Sequence, residues 1–267
     1  MRSLVSARRL LTGSLLLALA FGGSASLASG APLVRLSARF DPNRLGTPTT
    51  IHFGIVVSDS TVSRVPAPIT ELDISLPAEM GLASSTLGLA VCQPSRLLSK
   101  GPKGCPANSR VGMGHALGLI EAEGEAVREA AEVQAFVGPA INEDEQVLFH
   151  VEADAPVAAE LLFSGRLLPA RSSRFGGELV TPIPLIQAWP AGPYISVTRF
   201  DSSLGPQGLV YIHHIGEKLV PFHPRGIAVP PTCPRGGFPF AARLAFLGGP
   251  SVRVRTVVPC PRNDQRR

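Results

Sequence analysis

Pro239-Phe240-Ala241-Ala242-Arg243-Leu244-Ala245-Phe246-Leu247-Gly248-Gly249-Pro250-Ser251-Val252-Arg253-Val254-Arg255-Thr256-Val257-Val258 reads as two strands joined at a Gly-Gly-Pro turn. Phe240, Ala242, Leu244 and Phe246 alternate with their neighbours, and so do Val252, Val254 and Thr256, the period of two that gives a strand one apolar face. A two-residue loop would set Leu244 opposite Arg253 and mix core with solvent positions. A three-residue loop pairs Phe246 with Val252, Leu244 with Val254 and Ala242 with Thr256, and keeps the faces apart. This second register is the expected one, and it sets Arg243 opposite Arg255 with Arg253 next along. Like charges facing one another on a sheet are destabilising. The three arginines should therefore splay into water or meet anions, supplied by the acidic block 121–160 or by an anionic cell-wall polymer.

The same alternation recurs upstream. Val34, Leu36, Ala38 and Phe40 oppose Arg35, Ser37 and Arg39; Ile51, Phe53, Ile55 and Val57 oppose Thr50, His52 and Gly54; Leu72, Ile74 and Leu76 oppose Glu71, Asp73 and Ser75. Further strands are expected at 147–152, 159–163, 178–181, 194–200 and 209–213. No amphipathic helix recurs between them, which disfavours a parallel α/β sheet and favours an antiparallel, Ig-like β-sandwich. Glu121 to Ala135 has the best helix propensity in the chain, but Gly124 interrupts it and its apolar face would be mostly alanine. It reads as a hairpin with Ala131, Val133, Ala135 and Val137 inward. A short helix is expected at Pro94–Ser99, where Pro suits the first helical position. The polar stretch 138–145 suggests two packed sandwich subdomains, 31–138 and 139–267, with the Pro-rich run Thr181–Tyr194 as the competing break.

Residues 1–30 open with Arg2, Arg8 and Arg9, continue through an apolar stretch from Leu10 to Phe21, and turn to small residues by Ala28 and Gly30. This is the layout of a secretory signal peptide, with an apolar run too short for a membrane span. A secreted or cell-surface protein is expected, with no integral span after cleavage. Export permits disulfides. The four cysteines, spaced C-x12-C and C-x26-C, lack the C-x2-4-C spacing of zinc sites, and the close pairs Cys92–Cys105 and Cys233–Cys260 are the expected bridges.

Of 267 residues, 45% are hydrophobic and 17% charged, a balance that excludes disorder; 27 Gly and 26 Pro without a three-residue period exclude collagen. The leader holds three of the 25 basic residues and none of the 20 acidic ones, so the remainder carries +2. Charge gives no argument for nucleic-acid binding. There is no G-x-S-x-G elbow, H-E-x-x-H helix, Walker loop or EF-hand loop, and Gly112, Gly114 and Gly118 miss the dinucleotide spacing and read as strand or bulge positions. No cofactor or metal is expected. His213, His214 and His223 could converge on a metal only in part, because adjacent strand residues point to opposite faces. A hydrolytic triad can be drawn from those histidines with Asp201 and Ser202 or Ser203. Asn142–Glu145 offers too few oxygens for calcium and reads as a solvated turn. Trp189 and Tyr194 cluster with prolines 190 and 193, an arrangement suited either to stacking on a sugar or to plugging a sheet edge.

Cys105-Pro106 with Ser109-Arg110-Val111-Gly112, Gly176-Gly177 before Pro182, and Cys233-Pro234-Arg235-Gly236-Gly237-Phe238-Pro239-Phe240 with Pro259-Cys260-Pro261 resemble a group of exported proteins of high-GC bacteria with paired Cys-Pro motifs. The resemblance covers most of the chain after the leader. It implies an exported, cysteine-stapled β protein and carries no activity or catalytic residue to transfer. The function expected from the sequence is a non-enzymatic structural or binding role at the cell envelope; the rivals are an extracellular hydrolase and a carbohydrate-binding protein.

Overall fold

The computed structural model describes residues 32–59, 65–80, 90–205, 211–222 and 227–261, with 211–214 and 222 as backbone alone; the expected leader lies outside them. The strands are β1 (Leu33–Asp41), β2 (Pro48–Ser58), β3 (Ile69–Pro77), β4 (Arg110–Ala122), β5 (Glu125–Ile141), β6 (Asp144–Ala153), β7 (Ala159–Pro169) and β8 (Phe175–Pro182). They continue with β9 (Ser196–Leu204), β10 (Tyr211–Ile215), β11 (Lys218–Phe222), β12 (Ile227–Ala228), β13 (Phe238–Phe246) and β14 (Val252–Val258). The one α-helix among the described residues is α1 (Pro94–Lys100), the short helix expected after Gln93.

The chain is antiparallel β almost throughout, as its alternation requires. The strands form one sheet in the order β1-β2-β9-β4-β5-β6-β7-β8-β3-β13-β14, with β12 added on β2, while β10 and β11 pair only with each other. β1 and β14 lie against one another without sharing a ladder, so this single sheet curls into a nearly closed barrel in place of two facing sheets. Strands from both halves interleave: β9 sits between β2 and β4, and β3 between β8 and β13. The expected boundary at 138/139 falls within β5, whose Val137 and Gly138 both pair with β6.

Glu121–Ala135 folds as expected into the β4–β5 hairpin, with Val133, Ala135 and Val137 buried. In the last hairpin the faces are as expected and the register is not. Leu244 pairs with Val252, Ala242 with Val254 and Phe240 with Thr256, two residues away from the three-residue-loop register. A slip of two preserves every face, so alternation cannot tell the two apart. The longer loop is drawn toward β3: Phe246 pairs with Ile69 across a bulge, and the Leu247 amide donates to the Pro68 carbonyl at 2.9 Å.

Arg243 therefore faces Arg253, and its countercharge comes from β3, not from the acidic block 121–160. Its Nε donates to Asp73 Oδ2 at 2.8 Å and its terminal nitrogen contacts Glu71. Even so, burial and the nearby Glu178 hold the Asp73 carboxyl up at about 6, with Arg253 pulling it back. An acid whose pKa is raised on folding takes up protons on folding between the two values, so its contribution to stability falls as pH rises from about 4 to about 6. The loss is expected to be on the order of 2–3 kcal/mol. Urea unfolding of the wild type and Asp73→Asn across that window should diverge by this amount, with the variant showing the flatter profile.

Opposite ends of the barrel are filled differently. At the end where β1, β9 and β14 finish, Phe40, Phe53, Phe238 and Phe240 pack edge to face, with centroids 5.3–5.8 Å apart, among Ile51, Leu76 and Val258. Cys233–Cys260 closes the base of the last hairpin beside this cluster, its Cα atoms 5.8 Å apart. Gly237, at φ +95°, makes the turn into β13, and a Cβ there would meet the Val258 carbonyl at 2.6 Å. Cys92–Cys105 brackets α1, whose Leu97 packs on the outer face of the barrel against Phe136 and Leu148. Elsewhere the outer face carries charge, the reverse of the alternation in membrane-spanning barrels. No helix among the described residues is long and apolar enough to cross a membrane.

Candidate functional site

Away from the aromatic cluster the barrel is hollow. A cavity of about 150 Å³ is bounded by inward side chains of β2, β3, β5, β6, β7, β8 and β9. Facing them, β4 offers Gly114 and Ala116 to the cavity, between Gly112 and Gly118. A strand with so little side-chain volume on its inner face leaves the space that a packed barrel would fill. Further round the wall, on β6 and β7, Phe149 and Phe163 stack at 5.3 Å, and both stay half-buried. Thr181 and Ser202 bring hydroxyls, and Arg199, which pairs with Asp201, is the one charged residue in an otherwise apolar lining. An apolar space of this size stays dry unless an apolar guest takes it. Along β9 the lining runs from Val197 to Leu204, roughly 20 Å of strand.

The far end of the cavity is covered by the link from β8 to β9. Residues 183–195 fold back on themselves: the Ile195 amide donates to the Ile186 carbonyl and the Ala188 amide to the Pro193 carbonyl, at 2.8 and 2.9 Å. The Ile183 amide ties the link to Thr70 of β3 at 2.9 Å. Ile183, Pro184 and Ile186 face the cavity, and Trp189, at the tip, is 47% exposed.

A second, polar depression of about 390 Å³ lies on the outer face across β1, β2, β9 and β4. Its floor is Gly54, where a Cβ would meet Ser37 Oγ at 2.5 Å and Asp201 Oδ1 at 3.1 Å. Ser203 Oγ lies 2.8 Å from His52 Nδ1, and His52 Nε2 is 3.8 Å from Asp41 Oδ2. Burial, then Arg39, lowers the His52 pKa against the pull of Asp41, so the imidazole is neutral at pH 7. A neutral imidazole can accept the Ser203 proton, the first requirement of a nucleophilic pair. The second requirement is a donor set for the developing oxyanion. β9 is laddered on both sides, by β2 and by β4, so its amides are spent in the sheet.

Comparison with known proteins found no matching family model, curated protein or solved structure. The reading of both sites therefore rests on their geometry.

The residues singled out in the sequence scatter over this frame. Asp201 and Ser203 line the outer depression, whereas Ser202 points inward. His213 and His214 lie in β10, where only backbone is described, and His223 is outside the described residues. Trp189 and Tyr194 share the covering link, with Tyr194 half-buried opposite Gln187. Arg243 is neutralised from β3, while Arg253 and Arg255 are exposed and make no ion pair among the described residues. Asn142–Glu145 turns β5 into β6, and Asp144 reaches Arg166 at 3.4 Å. No cluster of three potential metal ligands occurs among the described residues. His52 escaped sequence reasoning because it appeared only as an outward strand position, 151 residues from Ser203.

Proposed function

We propose that this chain is an exported, disulfide-stapled binding protein of the cell envelope whose barrel interior holds one long hydrocarbon chain of a lipid. The observation that carries the reading is the apolar cavity left by the small inner face of β4. Two disulfides suit an oxidising compartment. Exposed Arg253 and Arg255 add an outer surface for an anionic envelope polymer.

A fluorescent long-chain probe is expected to bind saturably and to be displaced by unlabelled lipid. Ala116 lines the cavity, and Ala116→Phe fills it. That variant should lose about tenfold or more in probe affinity, about 1.4 kcal/mol, while its circular dichroism stays unchanged. Wild-type protein that shows no saturable binding would refute the proposal. The rival hydrolase is favoured by the Ser203–His52 hydrogen bond alone.

A further inference from the structure

Glu129 is 3% exposed and lies on the inner face of β5, a place where a carboxyl group has no structural partner of its own kind. Oε2 accepts the Val157 amide at 2.9 Å, which ties the β6–β7 link to the barrel. Oε1 is buried and accepts nothing. An acceptor taken from water and left unmatched is costly, so its retention at an inward position calls for a donor that arrives with something else.

Glu129 does not itself line the cavity, but its cross-strand neighbours lead to the cavity's far end. Glu129 pairs across the sheet with Gly118, and Gly118 pairs on its other side with Val197, which lines the cavity. Between Glu129 and Val197 in the ladder stands Gly118, which has no side chain. A Cβ at Gly118 would meet Ile195 Cγ2 at 2.6 Å and Glu129 Cβ at 3.7 Å, so the covering link closes over the same spot. An apolar channel with one unmatched acceptor at its covered end is complementary to an amphiphile.

We infer that Glu129 is the polar anchor of the hydrocarbon site, and that the ligand is a single-chain amphiphile whose head brings a hydrogen-bond donor, a hydroxyl or an ammonium group. A carboxylate head brings acceptors only and leaves Oε1 unmatched. This inference rests on the proposed chain-binding function and adds the head-group chemistry to it.

The test is competition for the fluorescent chain probe by three compounds of equal chain length: a fatty alcohol, an alkylamine and a fatty acid. Wild type should prefer at least one donor-bearing head to the acid by about tenfold or more, and which one wins separates hydroxyl from ammonium. Glu129→Gln keeps the shape and supplies an amide donor, so the preference should shrink to about threefold or less. A role confined to holding Val157 would change affinity for all three compounds together and leave their ratio alone. Equal wild-type affinities overturn the inference and leave the chain-binding proposal standing. Failure of the probe and of all three compounds to bind overturns both. The wild-type ratio decides the matter even if the variant does not fold.

Discussion

Phe240→Ala is expected to lower the free energy of unfolding by about 3–5 kcal/mol, the range for deleting a buried aromatic side chain without collapse of the space it leaves. Phe240 has no exposed surface and meets Phe40 and Phe53 edge to face, with centroids 5.8 and 5.3 Å away. Each such ring contact adds roughly 0.5–1.5 kcal/mol beyond the area buried. The surroundings cannot close in, because Phe238, Ile51 and Val258 are held by ladders on three different strands. Urea denaturation followed by circular dichroism gives the number, and a loss below about 1 kcal/mol would show that this end is not the packed core described. The cluster lies at the opposite end from the covering link. Under conditions where the variant is still folded, its affinity for a chain probe should match the wild type.

Replacing Cys233 and Cys260 together with Ser should cost about 3.6 kcal/mol on the chain-entropy model, against about 3 kcal/mol for Cys92 and Cys105. The difference follows from the sequence separations, 27 and 13. The position of the longer loop adds to its importance. β13 is the strand that joins β14 to the rest of the sheet, and among the described residues β14 has no ladder on its other side. The bridge fastens the base of that hairpin next to the aromatic cluster, and Cys233 itself packs against it. Thermal unfolding with and without a reductant, compared across the two double variants, measures both contributions. Equal stability of oxidised and reduced protein would mean that neither bridge restrains the unfolded chain.

Faces were legible in the sequence, neighbours were not. The alternation in Val34–Phe40, Ile51–Val57 and Phe240–Phe246 told which side chains turn inward, because that depends only on the pleat. It could not tell that β9 would enter between β2 and β4, since any strand with the same alternation fits the same slot. For the same reason a slip of two residues in the last hairpin moves no side chain to the other face. The cysteine pairs were readable because each lies within one local unit. Gly112, Gly114 and Gly118 read from the sequence as strand positions, but a hollow follows from them only once β4 is known to turn that face to the inside of a barrel. Glu129 shares the parity of Ala131, Val133, Ala135 and Val137, so the same alternation turns it inward; what the pattern does not give is that one of its oxygens stays unmatched there.

A hoop welded all the way round has a fixed circumference, set by the number of strands and their stagger. This one meets along a line where β1 and β14 lie against one another without a shared ladder. Parting that line by a small amount breaks no ladder between β1 and β14, so closure does not fix the circumference here as it does in a fully laddered barrel.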